Sequence, residues 1–270
     1  MPELPEVETY RRYFEATSLH QPISDVYVQD TKLLTTDYDT LLQQLKNRQF
    51  IGTKRVGKNL FAQLDAPYWL HFHFGMTGDL AYFKDQEDTP RFARIVFHFA
   101  NGFKLGFLCP RKFERIGIVE NIEAYLSRKK INKDALEITL EELSKTLNKK
   151  KAVIKSVLLD QSTVAGIGNW IVDEILFQAK VHPEQIASQL SDNQIVSIHQ
   201  AMQMIIKTAI NLQADYDDFP NDFLIHARGW GRTTNENSIG KCPKCGEKIS
   251  ISKVGGRTTF FCASQQVLQE

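Results

Sequence analysis

The N-terminus of the chain places a proline beside closely spaced carboxylates. The sequence begins Met1-Pro2-Glu3, and Glu6 follows three residues after Glu3. If Met1 is removed, Pro2 offers a secondary amine, and because α-amino groups have reference pKa values of about 7.7–8.0, a useful fraction is unprotonated near neutral pH. Such an amine can attack C1′ of a deoxyribose as Schiff-base lysines attack carbonyls. The step needs a proton donor at the sugar ring oxygen and carboxylate support for the cationic intermediate, and a tight N-terminal turn would bring both Glu3 and Glu6 beside the amine. Taken alone, the pattern is better explained by acids that cap a first helix.

Three of the four cysteines lie close together near the C-terminus. Cys242 and Cys245 form a Cys-x-x-Cys pair, and Cys262 ends a β-rich segment. In a chain without a targeting signal, this clustering indicates metal binding rather than a disulfide framework. Structural zinc has four ligands, often two Cys-x-x-Cys pairs, but Gln265 stands where the fourth cysteine would be. Three thiolates with a borrowed ligand or a water remain compatible with zinc.

Composition and charge exclude some classes of protein. The 270 residues have a formal net charge of +1, with 42% hydrophobic and 24% charged residues, as in ordinary globular proteins. The apolar runs are too short to cross a bilayer and the acidic N-terminus is unlike a secretory signal, so we expect a cytoplasmic protein without a membrane partner. Basic residues exceed acidic ones nine to four over 128–155 and seven to three over 228–270. This surplus fits one basic face, but on charge alone solvated helices and loops explain it better.

The elements that must position these residues begin with a helix and a run of strands. A helix is predicted over 5–17, with proline at its first position. Strands are predicted by alternation or β-rich composition over 23–29, 50–55, 60–64, 69–74, 91–99 and 103–108. Asn101-Gly102 is a hairpin signal between the last two. A helix followed by six or more strands predicts an antiparallel sandwich or barrel.

From about residue 121 the pattern changes to helical spacing. Helices are predicted over 121–130, 139–149, 151–160, 170–180 and 193–213. A hairpin is predicted over 248–253 and 257–262, around Gly255-Gly256. The fold class is therefore α+β, an N-terminal helix and antiparallel β-sandwich followed by a helical domain and a C-terminal β-hairpin. The expected domains are 1–120, a linker at 121–135, 136–232 and the hairpin at 233–270.

Six motifs, in the same order along nearly the whole chain, resemble those of the formamidopyrimidine-DNA glycosylase and endonuclease VIII family, and the likeness is greatest to its formamidopyrimidine-DNA glycosylase branch. They are Pro2-Glu3-Leu4-Pro5-Glu6-Val7-Glu8, Val56-Gly57-Lys58-Asn59-Leu60, His73-Phe74-Gly75-Met76-Thr77-Gly78, Pro110-Arg111-Lys112-Phe113, Gly166-Ile167-Gly168-Asn169, and Cys242-Pro243-Lys244-Cys245 with Arg257 to Cys262. The resemblance implies a helix–two-turn–helix domain and a zinc-finger-like hairpin. Some family members fold that hairpin without metal, so a zinc-free hairpin stays open beside the zinc site.

The resemblance also implies a set of DNA contacts. Lys58 would hold the phosphate beside the damaged nucleotide, and Asn169 would hold a phosphate where a helix N-terminus favours an anion. Arg257 would grip phosphates that flank the lesion. His73 is a further expected DNA contact.

Three residues match those that the family inserts into the duplex. Met76 would enter the gap left by the flipped nucleotide, Arg111 would face the orphaned base and Phe113 would wedge the stack. Flipping costs a few kcal/mol of stacking and pairing, which apolar and aromatic side chains recover in part while a guanidinium hydrogen-bonds the partner base. Each residue has an ordinary alternative, a core position for Met76 and Phe113 and a surface charge for Arg111, but the ordered set favours the functional interpretation.

The sequence departs from the family motifs at three places besides Gln265. Cys109 stands where aspartate is usual, and Glu114 replaces the glycine after the wedge phenylalanine. Glu114 would repel a nearby phosphate unless its side chain points away. The segment 215–232 does not match the loop that closes over flipped 8-oxoguanine in typical bacterial members, which leaves the lesion spectrum open.

The sequence thus predicts a bifunctional DNA glycosylase and abasic-site lyase of base-excision repair. Its expected substrates are formamidopyrimidines and 8-oxoguanine in double-stranded DNA, and oxidised pyrimidines are the alternative. The resemblance implies that β- and δ-elimination follow from the proline Schiff base and that the protein is a monomer. Two rival classes are a non-catalytic protein that binds damaged DNA and a general nucleic-acid-binding module. The former would have lost Pro2, Glu3 or Lys58, and the latter would leave the N-terminal motif unexplained.

Overall fold

The computed structural model describes residues 2–228 and 240–269. The chain divides into two compact units, residues 1–129 and 130–270. This boundary lies inside the segment 121–135 that we expected to be a linker, and the helix in the first part of that segment belongs to the first unit. Within the described ranges, no helix has both the length and the apolar character needed to span a membrane.

The first unit contains three α-helices and two antiparallel sheets of four strands each, among its described residues. The helices are α1 (Leu4–Ser18), α2 (Tyr38–Leu45) and α3 (Ile122–Lys129). The strands are β1 (Ile23–Val28), β2 (Phe50–Val56), β3 (Asn59–Leu64), β4 (Trp69–His73), β5 (Asp79–Lys84), β6 (Ala93–Phe99), β7 (Phe103–Leu108) and β8 (Arg115–Val119). One sheet has the order β2-β3-β4-β8 and the other β1-β6-β7-β5.

The two sheets share one apolar core. Phe72 of the first sheet packs on Phe97 and Phe107 of the second, with ring centroids 6.1 Å and 5.4 Å apart. Phe14 of α1 joins the same cluster through Phe72. The predicted antiparallel β-sandwich with an N-terminal helix is confirmed.

The second unit is helical with a terminal hairpin. Its described helices are α4 (Leu140–Leu147), α5 (Ile154–Leu159), α6 (Asn169–Gln178) and α7 (Asp192–Asn211), and its hairpin consists of β9 (Ser250–Val254) and β10 (Arg257–Phe261). Capping boxes start α4 at Thr139 and α7 at Ser191, since each hydroxyl accepts from the backbone N–H three residues on. Residues 229–239 lie outside the described part of the chain, so the expected loop 215–232 is described only as far as Arg228.

Among the described residues, the predicted elements are present with boundaries shifted by a few residues, but one α-helix and two strands were missed. These are α2, β5 and β8. A signal for α2 exists, because Asp37 caps the helix by accepting from Thr40 N, and Leu41 and Leu45 repeat at helical spacing. On α4, Leu143 and Leu147 are buried whereas Leu140 is exposed.

Candidate active site

The first turn of α1 holds the two acids predicted for catalysis. The backbone N–H of Glu3 donates to Glu6 Oε2 at 2.9 Å, and the Glu3 side chain accepts from the Glu6 backbone N–H. Glu3 is 3% exposed, whereas Pro2 is partly exposed. The helix-capping explanation of these acids is therefore correct, and the same capping box fixes both carboxyl groups next to the residue that would carry the amine.

Tyr10 connects α1 to the segment that carries Met76. Its ring packs on Phe74, with centroids 4.5 Å apart. Burial raises the pKa of the Tyr10 hydroxyl, and the neighbouring carboxylates of Asp79 and Glu6 raise it further. The first turns of α1 therefore lie next to the segment 74–79, and Tyr10 is in contact with both.

A partly buried ion pair fastens α1 to the hairpin that carries Lys58. Glu8 Oε2 accepts from Arg55 Nε at 3.1 Å, and their side chains are only 11% and 9% exposed. Burial would raise the Glu8 pKa, but hydrogen bonds and charges from Arg11 and Arg55 outweigh it and hold the pKa below its usual value. Arg55 Nη1 also donates to the carbonyl of Gly57 at 3.1 Å. Arg55 therefore links the helix directly to the turn on which Lys58 lies.

Lys58 occupies a two-residue turn between β2 and β3. Val56 pairs with Asn59 in the ladder, so the loop consists of Gly57 and Lys58 alone. Gly57 has a φ of 57°, which glycine adopts without strain at the first position of such a turn. Asn59 Nδ2 donates to the Val56 carbonyl at 3.3 Å and closes the turn. The backbone at Lys58 is thus fixed by glycine on one side and by an amide on the other.

His71 holds Asn59 from the neighbouring strand β4. His71 Nε2 lies 2.9 Å from Asn59 Oδ1 and 3.4 Å from the Tyr125 hydroxyl. Burial lowers the pKa of His71 to about 3, so the ring is neutral and donates from Nε2 to the amide oxygen. No motif includes Arg55 or His71, and the motif that contains Asn59 gives it no role. The ladder register brings these residues to the Lys58 turn.

His73, predicted as a DNA contact, lies beside Lys58. His73 pairs with Asn59 in the ladder, and its Nδ1 accepts from the Gly75 backbone N–H at 3.2 Å. Burial lowers the His73 pKa, and the positive charges of Lys58 and Arg115 lower it further. The ring is therefore neutral near pH 7 and carries its hydrogen on Nε2.

The three residues predicted to enter DNA are exposed. Met76 is 38% and Phe113 is 52% exposed, which excludes the alternative that they are core residues. The guanidinium of Arg111 lies over the Phe113 ring, 5.3 Å from its centroid. Gly75 lies against the backbone of Phe113, because a Cβ added at Gly75 would come within 2.8 Å of the Phe113 carbonyl carbon. The segments that carry Met76 and Phe113 are therefore in direct contact.

Neither residue that departs from the family motif in the first unit faces solvent. Glu114 is 0% exposed, so its side chain points inward and does not present a charge to a surface phosphate. Cys109 is also buried, and its thiol lies 3.5 Å from the Phe107 carbonyl. Burial raises the pKa of Cys109 to about 12, and the charge of Glu114 contributes to that shift.

In the second unit, Asn169 and Arg257 lie close to each other. Asn169 is the first residue of α6, and its Nδ2 donates to the Thr258 carbonyl at 3.0 Å. Arg257 precedes Thr258 and is exposed at the start of β10. Gly255 in the hairpin turn packs so closely on α5 that an added Cβ would meet Ser156 Oγ at 2.2 Å. The hairpin therefore presents Arg257 next to the start of α6.

A buried charge cluster that we had not predicted anchors the hairpin. Lys155 Nζ donates to Asp173 Oδ1 at 2.7 Å, to Thr259 Oγ1 at 2.8 Å and to the Thr258 carbonyl at 3.0 Å. Asp173 Oδ2 accepts from Arg228 Nη2 at 3.0 Å. The Lys155, Asp173 and Arg228 side chains are at most 1% exposed. The sequence places Lys155 in the basic segment 128–155, and only the fold shows that its side chain is buried.

The three C-terminal cysteines converge as predicted. The sulfur atoms of Cys242, Cys245 and Cys262 all lie within 4.8 Å of one another. Zinc–sulfur bonds of about 2.3 Å in a tetrahedron place sulfurs about 3.8 Å apart, so the spacing fits three of four ligands. The Ser264 hydroxyl lies 3.1 Å from Cys262 Sγ and 3.6 Å from Cys245 Sγ. The Ser264 hydroxyl is thus an oxygen donor beside two of the three sulfur atoms.

The described part of the atypical loop packs on α6. Glu174 accepts backbone N–H groups from Leu224 and Ile225, each at 3.0 Å. Burial raises the Glu174 pKa to about 7, although these hydrogen bonds and Gln178 oppose the shift. Residues 220–228 are therefore held by a helix of the second unit.

Sequence comparisons identify related proteins over the whole chain. The formamidopyrimidine-DNA glycosylase N-terminal domain matches residues 1–116, and the formamidopyrimidine-DNA glycosylase H2TH domain matches residues 131–219. A formamidopyrimidine-DNA glycosylase of Arabidopsis thaliana is 34% identical over 99% of this chain and 71% of the plant protein. One from Pelotomaculum thermopropionicum is 34% identical over 98% of this chain and 99% of its own length.

Solved structures agree with these matches. The Lactococcus lactis Fpg protein in complex with DNA containing N7-benzyl-Fapy-dG has a TM-score of 0.86 and 29% identity, covering 98% of this chain and 100% of that chain. The same protein bound non-covalently to DNA with an abasic site has a TM-score of 0.84 and 29% identity, covering 98% of this chain and 99% of that chain.

Proposed function

Because the chain belongs to the formamidopyrimidine-DNA glycosylase family, we propose that it is a DNA glycosylase that acts on damaged DNA through the amine of Pro2. The observation that carries this proposal is the arrangement at the start of α1. The capping box places Glu3 and Glu6 beside Pro2, and the Glu8–Arg55 pair ties the same helix to the Lys58 turn. All the expected catalytic residues therefore lie on α1 or next to it, or on the β2–β3 turn, and the Glu8–Arg55 pair, which we call the clamp, joins these two elements of the first unit.

The proposed reaction begins with attack of the Pro2 nitrogen on C1′ of the damaged nucleotide. The C1′–N bond to the base breaks, and the base leaves with the bonding electrons and with the proton that the Pro2 amine loses. Glu3 protonates the sugar ring oxygen as the ring opens, which leaves an iminium between Pro2 and C1′. Glu6, held by its bond to the Glu3 N–H, supports the cationic nitrogen. Loss of a C2′ proton then expels the 3′ phosphate by β-elimination, and δ-elimination expels the 5′ phosphate.

The remaining predicted residues hold and distort the duplex. Lys58 and His73 would bind the phosphate beside the lesion, and Asn169 with Arg257 would bind further phosphates. The exposed Met76, Arg111 and Phe113 would fill the space that the flipped nucleotide leaves. We propose double-stranded damaged DNA as the partner and a monomer as the acting form.

Oxidised purines are the proposed lesions. The insertion residues match those of the purine-specific branch, and relatives named formamidopyrimidine-DNA glycosylase cover almost all of the chain. One similar structure contains DNA with Fapy-dG. Oxidised pyrimidines remain the alternative, since the loop 215–232 differs from typical bacterial members.

We propose that the cysteine cluster binds zinc in a structural role. Cys242, Cys245 and Cys262 would supply three thiolates, and the Ser264 hydroxyl or a water the fourth ligand. Metal analysis of purified protein should give about one zinc per chain, and Cys245→Ser should lose it while Cys109→Ser retains it. Equal zinc content in both variants would place the metal elsewhere.

Borohydride trapping tests the enzymatic proposal. Duplexes carrying 8-oxoguanine opposite cytosine, an oxidised pyrimidine or an abasic site are incubated with wild type and Pro2→Gly in the presence of borohydride. We expect a covalent adduct on the 8-oxoguanine and abasic duplexes, weakened or lost in the variant. Trapping on the abasic duplex alone would support the lyase but not the purine lesion. No adduct from protein that begins at Pro2 would leave a non-catalytic protein that binds damaged DNA.

A further inference from the structure

A buried carboxyl lies beneath the residues proposed to enter DNA. Glu114 follows Phe113 directly and is 0% exposed. Its Oε1 accepts from the Thr77 hydroxyl at 3.3 Å, and Thr77 follows Met76. Its Oε2 is buried and, within the part of the chain that the structure describes, has no hydrogen-bond partner. A buried carboxyl with one unsatisfied oxygen is unfavourable, so its presence at this position calls for a role.

Two glycines let the Met76 segment approach this carboxyl closely. Gly75 has a φ of 55°, and a Cβ there would lie 2.9 Å from the Glu114 nitrogen. A Cβ at Gly78 would lie 2.8 Å from Glu114 Cγ and 2.5 Å from the Phe74 carbonyl oxygen. Glu114 is therefore enclosed by the turn that presents Met76, and the Thr77 hydrogen bond joins the two segments through side chains as well as backbone.

The segment 110–114 is fixed independently on its other side. Arg115 Nη1 donates to the Lys112 carbonyl at 2.9 Å and to the Glu114 carbonyl at 2.6 Å. Lys112 has a φ of 60°, in the left-handed region, and its Nζ lies 2.7 Å from Asp30 Oδ2. The backbone on both sides of Phe113 is thus hydrogen-bonded by Arg115, and the Glu114 side chain joins this segment to Thr77, the residue after Met76.

We infer that Glu114 is a positioning residue, which uses its hydrogen bond to Thr77 to hold Met76 in register with Arg111 and Phe113 so that the three enter the duplex together. This inference rests on the proposed function. The residues on either side of 110–113 agree with this inference. Cys109 stands where the family usually has aspartate, and the buried Glu114 supplies a carboxyl at the other end. Cys109 and Glu114 share one interior, since the charge of Glu114 raises the pKa of the thiol.

The experiment separates insertion from chemistry. Glu114→Ala, Thr77→Val and the double variant are assayed in single turnover for excision of 8-oxoguanine from a duplex. In parallel they are assayed for trapping on a single strand with an abasic site, where no stack has to be refilled. We expect each single variant to slow duplex excision about tenfold, the double variant to be no slower than the singles, and trapping on the single strand to stay within about twofold of wild type. Glu114→Gln, which keeps an oxygen for the Thr77 hydroxyl, should recover most of the rate.

A second readout measures insertion directly. The fluorescence of 2-aminopurine placed next to the lesion rises when neighbouring bases unstack, and Glu114→Ala should reduce that rise on binding. Ile23→Val, which removes one buried methyl group from the same unit, controls for general destabilisation and should match wild type in all three assays. Equal losses on both substrates, or additive losses in the double variant, would overturn the inference. If wild type gives no adduct on any substrate, the proposed function fails, and the fluorescence still decides whether Glu114 positions Met76.

Discussion

The two units hold their proposed functional residues by different means. In the first unit, the acids near Pro2 and the lysine at residue 58 lie on local devices, a capping box and a two-residue turn, which a partly buried ion pair connects. In the second unit, Arg257 lies on a hairpin that buried charges anchor from α5 and α6. A capping box and a two-residue turn are formed by residues close together in the sequence, so they can be recognised there as motifs. Contacts between residues far apart in the sequence cannot. The catalytic half of the molecule is therefore the easier half to recognise.

Breaking the anchor of the second unit should have the largest effect on stability. Lys155→Met leaves Asp173 buried with one of its two cations removed, and loss of one partner of a buried pair costs about 3–5 kcal/mol. Urea unfolding should show this loss. Lys150→Met is the matched control, because Lys150 is 40% exposed and 3.8 Å from Asp160, and it should cost no more than about 1 kcal/mol. A similar small cost for both variants would show that the cluster does not anchor the hairpin.

Breaking the clamp of the first unit should have a smaller effect on stability but a direct effect on chemistry. Arg55→Met removes the link from Glu8 to the Lys58 turn, and we expect a cost of about 2 kcal/mol together with slower borohydride trapping. Lys54→Met is the neighbouring control, since the pair of Lys54 with Glu123 is exposed, and it should trap at the wild-type rate. Arg55→Met protein that is destabilised but traps normally would reduce the clamp to a structural role.

The two regions should respond to pH with opposite sign. The Glu8 pKa is lowered in the folded state, so its contribution is present above its usual value of 4.5 and is lost as the pH falls through the folded pKa. The Glu174 pKa is raised to about 7, so the folded state binds the extra proton and stability declines as the pH rises from 4.5 to about 7. The free energy of unfolding of wild type, Glu8→Gln and Glu174→Gln should be measured across pH 3–8, and each variant should lack the pH dependence that its carboxyl contributes. If both carboxyls contributed slopes of the same sign against pH, this assignment would be contradicted.

Much of the fold followed from the sequence because periodicity and turn residues are local. The hairpin at Asn101-Gly102 formed as predicted, with Gly102 at a φ of 80°. The weakly patterned β5 and the short β8 were missed, since their strand character comes from pairing with β7 and β4.

The candidate site was predicted residue by residue but not as a network. The motifs indicated Glu3, Lys58 and Met76, and the structure adds the contacts that hold them. His71 reaches Asn59 only through the register of β3 and β4, and Glu114, considered from the sequence as a charge near phosphate, is fully buried. Contacts of this kind depend on which strands pair and in what register, which no single motif contains.

The most direct test of the central proposal is to identify the atom that becomes attached to DNA. After borohydride trapping on the abasic duplex and nuclease digestion, trypsin should release the peptide of residues 2–11, and mass spectrometry should locate the reduced sugar adduct on the Pro2 nitrogen. We predict that this peptide carries the adduct and that it begins at Pro2. An adduct on a lysine such as Lys58, with an unmodified peptide of residues 2–11, would contradict the assignment of the N-terminal amine as the nucleophile.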